Sequence, residues 1–375
     1  MLKPLGEQVV VLTGASSGIG RATAIEFGRR GASVVLAARN EEALQGTARE
    51  VEAAGGRAHV VVTDVADASQ VSRLAEEAAL RFGRIDTWVN NAAVSEYGTV
   101  EEISLEEIER IVAVNLLGTI YGIKAALPHL RRAGGGAIVN VGSVLSDRAV
   151  PLQSTYCATK HAVKGFTEAV RMELEHEGAG VHLTLVKPAV INTPYYNHAR
   201  TRMRVEPRAM FPVYEPIVVA EAILHAATHP VRDIVAGDGG KVLSVLQRIS
   251  PSLLDRLMLA NGAAFKLQQK DEPPRPGDNL FTPMNEAGAT TGEYTHRSTN
   301  FSPFTRHLEP YPNRKRLLVA AAALGAFALL RRPRRNTPDN SRSAAGGARV
   351  EKESLGRDGR SRDASRTRRS LPPRH

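Results

Sequence analysis

Tyr156 and Lys160 are the residues whose types and spacing first suggest chemistry in this chain. They lie four positions apart on a predicted helix, Ser154–Glu177, so both side chains share one face about one turn apart. An ammonium group beside a phenol favours the phenolate, so we expect Lys160 to lower the pKa of Tyr156 from its reference of about 10. The pair predicts a general acid and base, although such pairs are also common on protein surfaces.

A glycine-rich run near the amino terminus could hold a phosphate group. The run Thr13-Gly14-Ala15-Ser16-Ser17-Gly18-Ile19-Gly20 follows a predicted strand at residues 8–12 and precedes a predicted helix at residues 21–30. A helix that begins directly after such a turn directs free N–H groups and its positive dipole end at a pyrophosphate. This order of elements predicts a dinucleotide-binding turn.

The second predicted strand, residues 32–38, indicates which dinucleotide binds. Many dinucleotide folds carry an acidic residue there for the ribose hydroxyl, but this chain has Ala38 followed by Arg39. An arginine can bind a 2′-phosphate that a carboxylate would repel, so NADP is favoured over NAD. The alternative is that Arg39 only begins the next helix as a solvated charge.

Strands and helices alternate along the first 240 residues, which predicts an α/β fold with a doubly wound parallel sheet, the Rossmann fold. Ligands bind beyond the carboxyl ends of such strands. The glycine run, Arg39, Asp64, Asn90, Ser143 and Pro188 each follow a predicted strand directly. We therefore expect them to form one shared site.

These residues resemble the short-chain dehydrogenase/reductase family over roughly residues 7–240. The glycine run matches its cofactor motif, and Asn90-Asn91-Ala92-Ala93 and residues 188–193 resemble two further motifs, with Ala93 and Ala189 in place of glycine. The catalytic tetrad that the resemblance implies is Asn115, Ser143, Tyr156 and Lys160. The cofactor-binding residues that it implies are Thr13, Gly14, Ser16, Ser17, Gly18, Ile19, Gly20, Arg39, Asp64, Val65, Asn91, Ala92, Tyr156, Lys160, Pro188, Ala189, Ile191 and Thr193.

The resemblance implies hydride transfer between NADP(H) and a carbonyl or secondary alcohol, with Tyr156 as acid and base. Ser143 would stabilise charge on the substrate oxygen, Lys160 would hold the nicotinamide ribose, and Asn115 would kink its helix and hold a water in a proton relay to Lys160. No metal site is predicted. Residues 194–216 follow the sixth strand and are rich in aromatic side chains and methionine, which suits a lid over an apolar substrate or, equally, a surface loop.

The carboxyl-terminal part of the chain has a different composition. We expect an amphipathic helix at residues 251–269 and an irregular arm at residues 271–312. The uninterrupted apolar run at residues 317–330, with basic clusters on both sides, would be about 21 Å long as a helix, against about 30 Å of hydrocarbon core. It predicts membrane contact through residues 314–335, as a marginal span or an interfacial helix; the alternative is a core helix of an oligomer.

Most of the net charge of +10 belongs to residues 331–375, which hold 14 Lys and Arg against 5 Asp and Glu. Residues 336–375 are predicted to be disordered. The predicted domains are residues 1–240 (catalytic), 241–312 (extension), 313–335 (apolar segment) and 336–375 (tail). The single cysteine, Cys157, excludes an intramolecular disulfide, and no signal peptide is apparent, so we expect a cytoplasmic protein. We also expect a homo-oligomer, with membrane association through residues 314–335. The rival interpretations are a non-catalytic dinucleotide-binding module and a protein whose basic tail binds nucleic acid; no specific nucleic acid is expected.

Overall fold

The computed structural model describes residues 2–284, 287–309, 311 and 314, all within the compact unit Met1–Ala321. The predicted apolar segment at residues 317–330 and the basic tail lie outside the described residues. Both therefore stay predictions, as do the domain boundaries.

Regular elements alternate along the described chain, and their bounds follow in chain order. The strands are β1 Val9–Thr13, β2 Ser33–Ala38, β3 Arg57–Val62, β4 Thr87–Asn90, β5 Glu96–Tyr97, β6 Gly136–Val141, β7 Val181–Pro188, β8 Val190–Ile191, β9 Arg200–Thr201, β10 Val213–Tyr214, β11 Asp233–Ala236 and β12 Ser298–Thr299. The α-helices are α1 Gly18–Arg29, α2 Glu41–Ala53, α3 Ala68–Phe82, α4 Leu105–Val112, α5 Gly118–Arg132, α6 Ser154–Glu177, α7 Tyr195–His198, α8 Pro216–Ala226, α9 Asp238–Ile249, α10 Pro251–Leu259, α11 Ala263–Lys266 and α12 Pro303–His307.

Seven of these strands form one parallel sheet in the order β11-β7-β6-β4-β1-β2-β3. Strand β1, an interior strand of this sheet, is buried along its whole length, because helices cover both faces. Val10 and Leu12 pack on one face against α1, α2 and α8, whereas Val11 packs on the other against α3 and α5. The predicted doubly wound sheet is confirmed, and its strand order reverses between β1 and β4, where ligands bind in such folds.

Local sequence signals fixed several element boundaries as predicted. Asp67 caps α3 by accepting the backbone N–H groups of Ser69 and Gln70, and Ser104 with Glu107 forms a capping box at α4. Helix α6 has the predicted bounds.

The extension beyond residue 240 differs from the prediction. The prediction of a single helix at residues 251–269 is wrong. Asn261 takes a positive φ of 52°, and the helix is interrupted there, which gives α10, a 3₁₀ turn and α11. Helix α9 was not predicted. Residues 271–284 and 287–297 are irregular, as the Pro- and Gly-rich composition of residues 271–312 predicted. The later part of that range contains two short regular elements, β12 and α12.

The helical stretch Leu105–Arg132 consists of α4, α5 and the turn between them. Its length and apolar composition would allow it to cross a membrane. Its apolar side chains Ile111, Ile123 and Leu130 are nevertheless buried in the core on one face of the sheet. Packing in the protein core therefore explains why this stretch is apolar.

Candidate active site

A cavity of about 320 Å³ opens at the carboxyl ends of the sheet strands. Residues from the ends of six strands reach it, because parallel strands end at the same edge. Of the predicted site residues, those that line it are Gly14, Ser16, Ser17, Gly18, Ile19, Arg39, Asp64, Val65, Asn91, Ala92, Ser143, Tyr156, Lys160, Pro188, Ala189, Ile191 and Thr193. Most of the predicted shared site is therefore a single cavity. Four predicted residues do not line it: Thr13, Gly20, Asn115 and Asn90, whose buried side chain bonds with Trp88, Thr119 and Asn140 instead.

Thr13 and Gly20 shape the glycine turn rather than line it. The Thr13 hydroxyl accepts the backbone N–H groups of Asn91 and Ala92 at 3.0 and 3.2 Å, which ties β1 to the end of β4. A β-carbon on Gly20 would lie 2.0 Å from the Gly14 carbonyl oxygen, so only glycine fits. The turn is thereby closed tightly enough to present the first residues of α1 to the cavity.

The amino terminus of α1 and the ends of β2 and β3 form one half of the cavity. Ser17, Gly18 and Ile19 line it at the start of α1, where the positive dipole end of the helix favours an anion. The Gly18 N–H itself donates to the Ala289 carbonyl at 2.8 Å. Arg39 lines the same half, and the apolar Val65 provides a wall. This combination of anion donors and apolar wall fits the adenosine and pyrophosphate portions of a nicotinamide dinucleotide.

Charge is concentrated at the end of β3. Arg110 donates to the carboxylate of Asp64 at 2.6 Å, so Asp64 is engaged in an ion pair that the sequence did not predict. Burial, followed by the nearby charge of Arg110, lowers the pKa of Arg39 from its usual value. Two guanidinium groups therefore stand close together at the adenosine end.

The other half of the cavity holds Tyr156, Ser143 and Lys160. Tyr156 is 9% exposed and lines the cavity together with Ser143. Ser143 follows β6 directly and also accepts the backbone N–H of Leu145 at 3.0 Å, which fixes its rotamer. Lys160, one turn further along α6, places its Nζ 5.6 Å from the centre of the Tyr156 ring and donates to the Val141 carbonyl at 2.9 Å.

The prediction that Lys160 lowers the pKa of Tyr156 is wrong for this structure, in which the pKa of Tyr156 is raised. Burial raises the pKa of Tyr156 to about 12, and the hydrogen bonds from Ser143 and Tyr195 offset only part of that rise. Burial also lowers the pKa of Lys160 to about 8. The physical reason is that desolvation disfavours the charged form of both groups, so each side chain tends toward neutrality.

Asn115 lies in a π-helical segment, Ala113–Leu117, between α4 and α5. Its side chain exchanges two hydrogen bonds of 2.9 Å with the backbone of Val94 and donates to the Thr159 hydroxyl at 3.2 Å. A widened helical turn of this kind often marks a functional site. Asn115 thereby joins the end of β4 to α6, and the predicted water relay stays a prediction.

Glu96 is a site residue that the sequence did not reveal. Its carboxylate is fully buried and accepts the backbone N–H groups of Thr155 and Tyr156 at 3.0 and 3.2 Å, at the start of α6. Burial raises the pKa of Glu96 above its usual range. Because β5 is only two residues long, no periodicity in the sequence could have shown that Glu96 points at this helix.

The cavity wall beside Tyr156 is largely aromatic and comes from the predicted lid, residues 194–216. Tyr195 packs against the Tyr156 ring at 5.9 Å, and Tyr196 packs against Tyr195 at 5.3 Å, measured between ring centroids. Met210 also lines the cavity, as do Tyr97 and Leu243 from outside the lid. The other predicted lid side chains, Met203, Phe211 and Tyr214, do not line it.

Residues 194–216 contain four arginines, of which Arg204 is exposed and does not line the cavity. Arg200 and Arg202 both donate to the buried carboxylate of Glu107, so they anchor the segment to α4 instead of facing the cavity. Arg208 does line the cavity.

A parallel doubly wound sheet, with a glycine turn after its first strand and a Tyr–Lys pair on a helix at the same edge, defines a dinucleotide-dependent oxidoreductase. The chain belongs to the short-chain dehydrogenase family, whose model matches residues 8–204. It is 44% identical over 306 residues to "Uncharacterized oxidoreductase YxnA" of Bacillus subtilis (strain 168), an alignment that covers 79% of this chain and 85% of that protein.

Two solved structures show the same fold. A short-chain dehydrogenase/reductase from Burkholderia phymatum in complex with NAD aligns with a TM-score of 0.62 and 28% identity, covering 68% of this chain and 97% of that one. An alcohol dehydrogenase from the archaeon Thermococcus sibiricus complexed with 5-hydroxy-NADP aligns with a TM-score of 0.54 and 28% identity, covering 61% and 95%. The family thus binds a nicotinamide dinucleotide, and these neighbours include both the NAD and the NADP form.

Proposed function

We propose that this oxidoreductase uses NADP(H) to interconvert a carbonyl compound and a secondary alcohol, with Tyr156 as general acid and base. The observation that carries the proposal is the cavity itself: the Tyr156 and Ser143 side chains line the same space as the glycine turn after β1. A proton-transfer group and a dinucleotide site are therefore within reach of one small substrate.

When bound, the nicotinamide supplies or accepts the hydride. Ser17 and Ile19 would hold the pyrophosphate at the start of α1, and residues 188–193 would flank the nicotinamide end. The Tyr156 hydroxyl gives its proton to the substrate oxygen as negative charge develops there, and takes a proton back in the reverse direction. The Ser143 hydroxyl donates to the same oxygen, and the buried Lys160 places its ammonium group beneath the Tyr156 ring.

The raised pKa of Tyr156, about 12, favours carbonyl reduction at neutral pH. A tyrosine that holds its proton is ready to act as the acid of the reductive direction. The reverse direction needs the phenolate, so alcohol oxidation is expected to become faster as pH rises.

Preference for NADP rests on the residues after β2. Ala38 leaves no carboxylate at the strand end, and Arg39 lines the cavity with Arg110 close by. Arg39 gives three N–H groups to backbone carbonyls of residues 279–281, and a guanidinium has five. Counting only contacts with described residues, two N–H groups of Arg39 thus remain for a 2′-phosphate.

The substrate is proposed to be largely apolar. Tyr97, Tyr195, Tyr196, Met210 and Leu243 surround the space beside Tyr156, and such a wall gains free energy by covering apolar surface.

Turnover of NADPH with a panel of apolar aldehydes and ketones tests the proposal. Tyr156→Phe should abolish turnover and keep NADPH binding, because it removes only the hydroxyl. Tyr121→Phe, a change in α5 outside the cavity, is the matched control and should retain activity. Binding of NADPH without turnover of any substrate by the wild type would favour the non-catalytic module instead.

We also propose that residues 314–335 contact an anionic membrane and that the enzyme is a cytoplasmic homo-oligomer. The support is the apolar run at 317–330 between two basic clusters. Sedimentation with anionic vesicles, before and after removal of residues 314–375, tests the membrane contact. Equal sedimentation of both proteins would contradict it.

A further inference from the structure

The irregular arm returns to the cofactor end of the molecule. We use "the arm" for residues 278–284 together with 287–292. Asp278 pairs with Arg200 at 2.8 Å, the Asn279 N–H donates to the His198 carbonyl at 2.9 Å, and Leu280 is fully buried in the main core. These contacts anchor the beginning of the arm firmly against the catalytic unit.

The anchored arm covers the end of β2. Arg39 donates to the carbonyls of Phe281 at 2.9 Å and of Leu280 at 3.3 Å, and also to that of Asn279. Arg110 donates to the same Leu280 carbonyl at 3.0 Å. The arm backbone therefore lies on the two arginines that stand at the proposed adenosine end.

Further along, the arm crosses the glycine turn. The Gly18 N–H, at the first residue of α1, donates to the Ala289 carbonyl at 2.8 Å, and Arg21 donates to the Ala287 carbonyl at 3.1 Å. Gly288 approaches the turn so closely that a β-carbon there would lie 2.3 Å from the Ser16 carbonyl oxygen, and its φ is +78°. Only glycine permits this approach.

Both contact regions border the cavity already described. Four arm residues line it, namely Asn279, Pro283, Met284 and Gly288, together with Ser16, Arg39 and Asp64 of the strand ends. The dinucleotide half of the cavity consequently has two walls: the edge of the sheet and the arm.

We propose that the arm is a cofactor-binding element that encloses the adenosine half of the dinucleotide, so that the arm must move aside before the cofactor leaves. The inference rests on the proposed function, since it needs the dinucleotide to occupy this cavity. Pro283 and Met284 form the apolar outer wall, and the carbonyls of residues 279–281 orient Arg39. Loosening the arm then speeds dissociation of the cofactor, and fixing the arm slows it.

Gly288→Ala is the sharpest test, because its methyl group cannot fit against Ser16 and must push the arm away. The dissociation rate of NADPH is measured in the full-length protein by stopped-flow energy transfer from Trp88, the single tryptophan. We expect the rate to rise roughly tenfold, which corresponds to about 1.4 kcal/mol of lost binding.

Gly277→Ala is the matched control. Gly277 has nearly the same φ, +83°, but a β-carbon there would meet only the end of the Met284 side chain at 4.0 Å. It adds the same backbone strain just outside the arm and should leave the dissociation rate unchanged. Equal rates for wild type and Gly288→Ala would overturn the inference, whereas failure of the wild type to bind any dinucleotide would overturn the proposed function as well.

A second variant tests the arm without any change at Gly288. Asp278→Asn weakens the 2.8 Å ion pair with Arg200 that anchors the beginning of the arm. NADPH should dissociate severalfold faster from Asp278→Asn than from the wild type, whereas Glu177→Gln, which breaks the exposed pair with Arg131 far from the arm in sequence, should leave the rate unchanged. Equal dissociation rates for Asp278→Asn and the wild type would contradict the enclosing role.

Discussion

Asp147→Asn is expected to destabilise the protein strongly. Asp147 follows the short helical turn that Ser143 begins, and its carboxylate accepts from Lys164, Lys187 and Ser244 at 2.7, 2.8 and 2.9 Å. The side chains of Asp147 and Lys187 are each only 5% exposed. The substitution leaves the Lys187 ammonium group buried without a counter-charge.

The expected loss is about 3 kcal/mol in the free energy of unfolding. Removing one partner of a buried ion pair costs about 3–5 kcal/mol, and an asparagine oxygen that still accepts from Ser244 places this case at the low end. Lys164 is more exposed, at 25%, so its pair adds at most about 1 kcal/mol. A loss of this size lowers the melting temperature by roughly 6–12 °C.

Urea unfolding followed by circular dichroism measures the effect. Glu177→Gln breaks the exposed pair of Glu177 with Arg131 and serves as the control, with an expected change below about 1 kcal/mol. If Asp147→Asn were no more destabilising than this control, the reasoning about the buried charge would be refuted.

The pH dependence gives an independent check of sign. Burial by itself would raise the pKa of Asp147, but Lys164 and Lys187 together hold it well below its usual range. The stabilisation by Asp147 is therefore fully present above the unfolded pKa of about 3.9. That stabilisation is lost as pH falls through the lower folded-state value. The stability difference between wild type and Asp147→Asn should therefore shrink steadily below about pH 4.

Three further substitutions test the site itself. Glu96→Gln removes a buried charge that raises the Tyr156 pKa, so the pH profile of kcat/KM for alcohol oxidation should shift to lower pH; an unchanged profile would argue against this role. Arg39→Asp should lower the NADPH-to-NADH preference in kcat/KM at least tenfold, and the ratio cancels any loss of arm contacts common to both cofactors. Gly20→Ala should weaken NADPH affinity in a fluorescence titration by more than tenfold, because its methyl group meets the Gly14 carbonyl, whereas Gly165→Ala, in open space, should not.

Much of the sheet could be predicted because its signals are local. The apolar run of β1, the glycine turn after it and the cap residue Asp67 each specify structure within a few positions. The site followed from the same signals, since the carboxyl ends of parallel strands must meet at one edge. The cofactor form and the substrate stay proposals, because they depend on small differences in a few contacts.

The features that sequence reasoning missed depend on contacts between distant positions. Glu96 reaches Thr155, 59 positions away, and Arg39 reaches Phe281, 242 positions away. Neither segment has a hydrophobic periodicity or a motif that indicates such a distant partner. The break at Asn261 has a different cause: its apolar pattern continues across the break, and only the left-handed backbone at that residue ends the helix.

The arm also sets the order in which the site is completed during synthesis. The last strand of the main sheet ends at Ala236, and the Phe281 carbonyl that receives Arg39 is made 45 residues later. At a ribosomal rate of about 5–20 residues per second, the sheet precedes the arm by roughly 2–9 s. A nascent chain released just after β11 would therefore carry the glycine turn, Tyr156 and Lys160 and still lack the second wall of its cofactor site.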